Sequence, residues 1–442
     1  MSLIQSVTFK NPKAAEPLSQ QEIERRLTTG RVSNTARSTH EARKKRSAVA
    51  VAAPGAKLAL AGLSANPKQA MEVSDPTLDR SDESAVAINP MNRHNIVAGA
   101  ASFDGTQFIN TAYVTMDRGK TWTTVTVLTN TDEGAGIAFD DSGHCYYTTM
   151  QGGFFPVCVV SNDGGITWSA PAAFGFGDKT AVAARGKTAL CGFDRVNTEA
   201  CAFTLDGGVT WTVHDFTDSG IGTSPLVSYD EQHFYLIYAA LDNNLKLYAS
   251  HDRGATWIGP TTIVAGNASE SVIAGPLSYE GGALTSPGTN VAIDHKGHLH
   301  VLYIDSNKSV PMYTSSRDQG ATWSTPVEVN PERSHDTHMW PCLACTKHGD
   351  LQGGSLVYDA ALGKYSILVH SKPKHEDEWE TSEADSGPWS AAGPSPNFRI
   401  GFGDYFDCDC LPDTDDVSVM AWSETADGQQ PWRTWVRILD ID

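Results

Sequence analysis

Several groups of residues in this chain are of types that do chemistry. The stretch Ser334-His-Asp-Thr-His-Met-Trp-Pro-Cys-Leu-Ala-Cys-Thr-Lys-His348 places His335, His338, Cys342, Cys345 and His348 within 14 residues. These are borderline-soft ligands suited to Zn²⁺. The spacing is not that of a zinc finger, and a disulfide knot completed by Cys408 and Cys410 is the competing reading. The acidic run around Asp407, Asp409 and Asp413 is a second metal candidate, for Ca²⁺, although it lacks the order of an EF-hand loop. No cofactor is required by any motif. Cys145 and Cys158, and likewise Cys191 and Cys201, are expected to face each other across hairpins, as two disulfides or as reduced, buried thiols, and the disulfide reading argues for an oxidising compartment. Asp132, Glu133, Asp178 and Asp404 are carboxylates suited to general acid and base work, and Arg195, Arg333 and Arg399 to holding an anionic group. Phe154, Phe155, Trp340, Trp379 and Tyr405 are aromatics suited to stacking on a ligand.

These residues must be positioned by something, and a repeat says what. Ser/Thr-x-Asp-x-Gly-x-Thr-Trp occurs five times, at Asp117, Asp163, Asp206, Asp252 and Asp318. The Asp accepts hydrogen bonds from amides just ahead, Gly supplies a left-handed turn, and Trp packs back on the following strand. Each copy is therefore a stapled hairpin turn. These resemble the Asp-box (BNR) repeats of the sialidase-like β-propeller superfamily, over residues 80 to 442. The resemblance implies an all-β propeller, with the boxes on the face away from the usual site. It does not fix a function, because such boxes occur in sialidases, other glycosidases, polysaccharide lyases, lectins and assembly factors.

Consecutive box Asp residues lie 46, 43, 46 and 66 apart, and one four-stranded blade takes ~40 to 50 residues. A sixth, degenerate copy is read at Ser386-Gly387-Pro388-Trp389. Seven apolar runs read as inner strands: SAVAINP from Ser84, GAGIAFD from Gly134, TAVAARG from Thr180, SPLVSYD from Ser224, NVAIDHKG from Asn290, GSLVYDA from Gly354 and GFGDYFD from Gly401. Seven blades are expected, with six as the alternative. The last run is followed by only two further strands, so a strand from SAVAVAA (Ser47 on) or KLALAGL (Lys57 on) is expected to close the ring. The chain thus divides into a basic arm with a short helix, 1–46, and the propeller, 47–442.

With 52 Asp and Glu against 33 Lys and Arg, the chain is acidic, at a formal charge of −19. The first 50 residues hold ten Lys and Arg against four Asp and Glu, leaving 23 against 48 in the remainder. An acidic body repels nucleic acid. The arm reads as a tail folding back on that body or as a docking segment for another protein. No run of 18 apolar residues suggests a membrane span, and no apolar leader is visible. Export is nevertheless expected from the cysteines, with a cytoplasmic setting as the alternative.

The two enlarged intervals, Ile263 to Pro287 and Asn330 to Asp350, are expected to build one wall of a cleft on the face opposite the boxes. The sialidase pattern of three arginines, a Tyr nucleophile with its Glu, and an Asp acid/base is echoed only at Phe398-Arg399-Ile400-Gly401, in the last blade and without the Pro. No catalytic residue is carried across. The expected function is a binding or assembly propeller recognising a glycan or protein through its loop-rich face. The alternative is a sialidase-like glycoside hydrolase or a lyase.

Overall fold

A computed structural model describes residues 70–131, 134, 136–195, 198–266, 290–334, 336–384, 406–411, 418–424 and 432–439, and the backbone of four short strands at Val7–Lys10, Ala59–Ala61, Ser271–Ala274 and Leu277–Glu280. Seven antiparallel four-stranded sheets form a seven-bladed propeller. The inner strands are Arg80–Ile88, Gly136–Phe139, Asp178–Arg185, Gly220–Val227, Val291–Ile293, Thr337–Cys345 and Asp407–Cys410, for blades 1 to 7. They surround a central channel of about 150 Å³ whose wall is mainly aliphatic, with Val86, Ile137, Val182, Leu226, Ala292 and Leu343 contributing from successive blades. Inner strands buried on both faces read as continuous small apolar runs rather than alternating ones, which is why they were legible. Each of the seven seams between blades holds its own cluster of buried side chains.

Ring closure follows the expected logic with a different donor. The outer strand of blade 7 is Met71–Glu72, paired with Arg433–Leu439 through Met71 opposite Val436 and Glu72 opposite Trp435. SAVAVAA lies outside the described residues. In KLALAGL, Ala59–Ala61 adds a fifth strand to blade 1, pairing with Trp122–Thr129, and Val7–Lys10 does the same for blade 3. The seam between blades 7 and 1 is also stitched by side chains: Asp407 and Asp409 accept hydrogen bonds from the Val86 and Ile88 amides, each at 2.8 Å.

Two inner strands differ from expectation. GSLVYDA belongs to the second strand of blade 6, Leu351–Asp359, and the inner strand is Thr337–Cys345, the segment read as a metal site or knot. In blade 7 the inner strand is Asp407–Cys410, just beyond the glycine-rich run. The third and fourth strands of blade 6 are Lys364–Lys372 and Glu380–Glu383. The turn joining them is therefore 373–379, and Trp379 holds the box tryptophan position. Ser386-Gly387-Pro388-Trp389 follows the fourth strand, cannot be that turn, and lies outside the described residues.

All eight cysteines are buried and free. The strand register shows why the two expected disulfides do not form. Cys145 lies opposite Ser161 and Cys158 opposite Thr148; Cys191 lies opposite Ala202 and Cys201 opposite Gly192. Each pair is offset by an odd number of residues, which sends the side chains to opposite faces of the sheet. Cys145 accordingly packs in the seam between blades 1 and 2, and Cys158 with Cys191 between blades 2 and 3. The argument for an oxidising compartment falls with the pairing.

Candidate functional site

The five boxes share one hydrogen-bond scheme. In blade 2, Ser161 Oγ donates to Asp163 Oδ1 at 2.8 Å and accepts from the Gly165 amide at 2.9 Å. Asp163 also accepts from the Ile166 and Thr167 amides at 3.1 and 2.8 Å and from the Thr167 hydroxyl at 2.6 Å. Asp117, Asp206, Asp252 and Asp318 repeat the pattern. The hydroxyls of Thr256 and Thr322, then their amides, hold Asp252 and Asp318 below the usual carboxylate range. The box carboxylates are spent on their own turns, which makes them structural.

The opposite face is built by the turns joining second to third strands and by the blade-to-blade connections. Four inner strands begin on that face with the same irregularity. Their register slips between Asp82 and Ala85, Asp178 and Ala181, Ile221 and Ser224, and Met339 and Cys342. At each slip one residue is left-handed: Glu83 at φ 55°, Lys179 at 55°, Gly222 at 76° and Trp340 at 49°. These are β-bulges, which re-aim side chains and hold backbone strain. Buried charge gathers at the same height. Arg80 pairs with Asp82, and burial still raises the Asp82 carboxyl. Glu83 accepts from the Gly134 amide of blade 2 at 2.5 Å.

Blade 3 carries the densest group. Asp178, Asp194 and Glu199 are successive partners across its three inner strands. Burial, then Glu199, pushes Asp194 well above the carboxylate range, and burial pushes Glu199 up to about 8. The two carboxyls face each other across the strand pair, and burial favours the protonated form of both. The neighbouring blade adds Asp218, which accepts from Tyr238 at 2.7 Å and Lys246 at 2.9 Å. The hydroxyls of Thr180 and Thr223 are buried there with no protein hydrogen-bond partner.

Of the residues singled out from sequence, Asp178 and Arg195 fall in this region. Arg195 is held by Asp215 at 2.8 Å and by the Phe176 carbonyl, and Arg333 by Asp336 at 2.6 Å. They do not converge. Phe154, Phe155 and Trp340 are buried at 2%, 8% and 1% exposure, so they are packing residues rather than platforms. Phe154 and Phe155 instead pack on Phe176. Trp379 is part-buried against Tyr313 on the seam between blades 5 and 6. Asp132, Glu133, His335, Arg399, Asp404 and Tyr405 lie outside the described residues, as do Asp413 and its acidic neighbours.

The remaining metal candidates spread along one strand. His338 contacts Ser355 and the Arg333 carbonyl, Cys342 lies beside Cys408 in the seam between blades 6 and 7, Cys345 donates to the Thr346 carbonyl, and His348 is exposed on the box face. Among the described residues no group of three or more His, Cys, Asp and Glu is placed to hold a metal ion. Arg80, Asp82, Glu83, Lys179, Asp194 and Glu199 were missed from sequence. The available signal was charge at the head of an apolar inner strand, in Arg-Ser-Asp-Glu-Ser84 and Asp-Lys-Thr180.

The model of the BNR/Asp-box repeat family matches residues 159–170, the box of blade 2. The fold is a β-propeller that carries Asp-box turns. No curated protein matches the sequence. Among solved structures, a protein of unknown function from Dyadobacter fermentans is similar at 12% identity, covering 87% of this chain and 99% of that one, with a TM-score of 0.51. The NanB sialidase of Streptococcus pneumoniae aligns at 11% identity over 67% of this chain and 68% of its own, TM-score 0.45. A lectin of Aleuria aurantia bound to α-methyl-L-fucoside aligns at 11% over 70% and 98%, TM-score 0.44. At these identities the likeness is one of fold. No described helix of the propeller is long and apolar enough to cross a membrane.

Proposed function

We propose that the protein is a binding propeller whose loop-rich face recognises a glycan at the channel mouth. The repeated bulge carries this reading. Each non-glycine residue held left-handed costs about 1 to 3 kcal/mol, and Glu83, Lys179 and Trp340 are held so at the heads of three inner strands. The bulge brings buried charge to one rim beside the part-exposed Asp218 carboxylate, where sugar hydroxyls are apt partners. The basic arm, 1–46, is a proposed second contact, to an acidic partner or to the body itself.

A glycoside hydrolase is the second reading, and the raised Glu199 carboxyl favours it, because such enzymes hold one carboxyl protonated as general acid. The tied-down Arg195 and Arg333 weigh against a sialidase-type carboxylate clamp. A glycan array probed with the wild type and with an Asp218→Asn variant tests the first reading. Capture of a defined glycan set that the variant loses, at unchanged melting temperature, supports it; no capture, or equal capture by both, refutes it. Turnover of a fluorogenic glycoside panel by the wild type but not by Glu199→Gln establishes the second reading.

A further inference from the structure

Blade 6 departs from the box-bearing blades on the box face, and a cavity of about 300 Å³ opens beside it. In blades 2, 3 and 4 the box glycine seats on a strand pair of the preceding blade. A Cβ on Gly165 would lie 2.8 Å from Val97 and 3.2 Å from Val114; one on Gly208, 2.7 Å from Val160; one on Gly254, 2.7 Å from Phe203. Each seat belongs to a cross-strand pair of second and third strands: Val97 with Val114, Tyr146 with Val160, Leu190 with Phe203. In blade 6 the Asp-Gly turn is replaced by Pro-Lys-His-Glu-Asp-Glu before Trp379. The corresponding pair on blade 5 is His300 with Ser315. The box turn and its apolar seat have been replaced together, on two different blades, and both now line the cavity.

The lining is cationic in an acidic protein. Lys296, Arg317, Lys372 and Lys374 contribute permanent charge, against the single carboxylate of Asp294. That carboxylate is occupied by its own turn, accepting from the Lys296 and His298 amides at 2.9 Å each and facing the His298 ring at 2.9 Å. At the base, His300 is 8% exposed, its Nδ1 lies 2.7 Å from the Tyr313 hydroxyl, and its Nε2 is buried with no protein partner. Burial brings the His300 ring down to about 4 against the pull of Asp294, with smaller help from His298, Lys372 and Arg317, so it is neutral near pH 7. When the Tyr313 hydroxyl donates to Nδ1, the proton sits on Nε2 and gives an N–H donor at the base of the cavity. A neutral N–H donor beneath an arginine fork and lysine ammoniums suits an oxyanion and disfavours a cation.

We propose that this cavity binds a tetrahedral oxyanion, a sulfate or phosphate group, taken either as the free ion or as a sugar ester. The proposal is independent of the glycan reading of the opposite face. Isothermal titration of the full chain at low salt would use inorganic phosphate, inorganic sulfate, glucose 6-phosphate, glucose 6-sulfate and, as neutral control, glucose. Binding of the inorganic ions as tightly as the esters identifies the free anion as ligand; binding of an ester alone identifies a sugar ester. In either case Arg317→Gln should weaken binding by about tenfold or more, the loss of one charge-assisted contact. His300→Val/Ser315→Val, which restores the apolar seat of the other blades, should abolish it while melting stays at or above the wild-type temperature. The proposal is overturned if none of the four anions binds at about 10 mM, a concentration that reveals even weak sites. It is equally overturned if glucose binds as well as its esters, or if both variants bind within about twofold of the wild type.

Discussion

Replacing Glu199 by Gln tests the buried carboxyl pair of blade 3 and with it the electrostatic account of the loop-rich rim. Burial raises the Glu199 carboxyl from 4.5 to about 8 in the folded chain. Unfolded, the group is ionised above about 4.5, so between there and pH 8 folding takes up a proton. Its stabilising contribution is complete below about pH 4.5 and is lost as pH rises through 8. A shift of that size corresponds to roughly 3 to 5 kcal/mol across the window. Glu199→Gln keeps the shape, keeps a donor for Asp194 and removes the titration. For about 370 folded residues, 3 to 5 kcal/mol amounts to a melting shift of about 4 to 6 °C. Melting followed by circular dichroism from pH 5 to 8.5 should show the wild type losing that much relative to the variant, with the variant the more stable at pH 8.5. Parallel pH profiles would refute the raised Glu199 carboxyl.

Other consequences follow from packing and topology. Asp163→Ala should cost about 1 to 2 kcal/mol, since it strips the turn amides of an acceptor on an exposed carboxylate, and should leave ligand capture untouched; lost capture at unchanged melting would make the boxes a site. Gly165→Ala should cost more than Asp163→Ala, because φ is 98° and the new Cβ lies 2.8 Å from Val97; the reverse order in chemical denaturation would contradict the seating of box on blade. Deleting residues 1–45 should preserve cooperative melting, whereas deleting 1–75 removes Met71–Glu72 and opens the ring; equal stability of the two would show that the donor lies elsewhere. Thiol titration should find no reactive cysteine in the folded protein and eight after denaturation in the absence of reductant; four would restore two disulfides.

The boxes and five inner strands were readable because one residue type at each place does one local job: a hydroxyl and a carboxylate staple a turn, and small aliphatics fill a channel wall. Blade 6 was misread for a physical reason. Its inner strand, Thr337–Cys345, is written with Trp, Cys and His, which also suit a metal, and its box turn has lost the Asp and Gly that mark the others. The disulfide expectation failed on register, which an offset of one or three residues reverses and which turn spacing alone does not specify. The rim was nearly invisible. A bulge at Glu83 or Lys179 leaves no periodic mark, and the pairing of Asp194 with Glu199 depends on a turn that places them opposite one another.

Hydrogen–deuterium exchange of the protein with and without a glycan captured on the array tests the central claim most directly. Binding at the channel mouth predicts slowed exchange confined to the bulged heads of the inner strands, about Arg80–Ser84, Asp178–Ala181, Gly220–Ser224 and Thr337–Cys342, with the box turns unchanged. Protection centred on the turns at Asp117, Asp163, Asp206, Asp252 and Asp318, with the bulges unaffected, would place recognition on the other face and contradict the account.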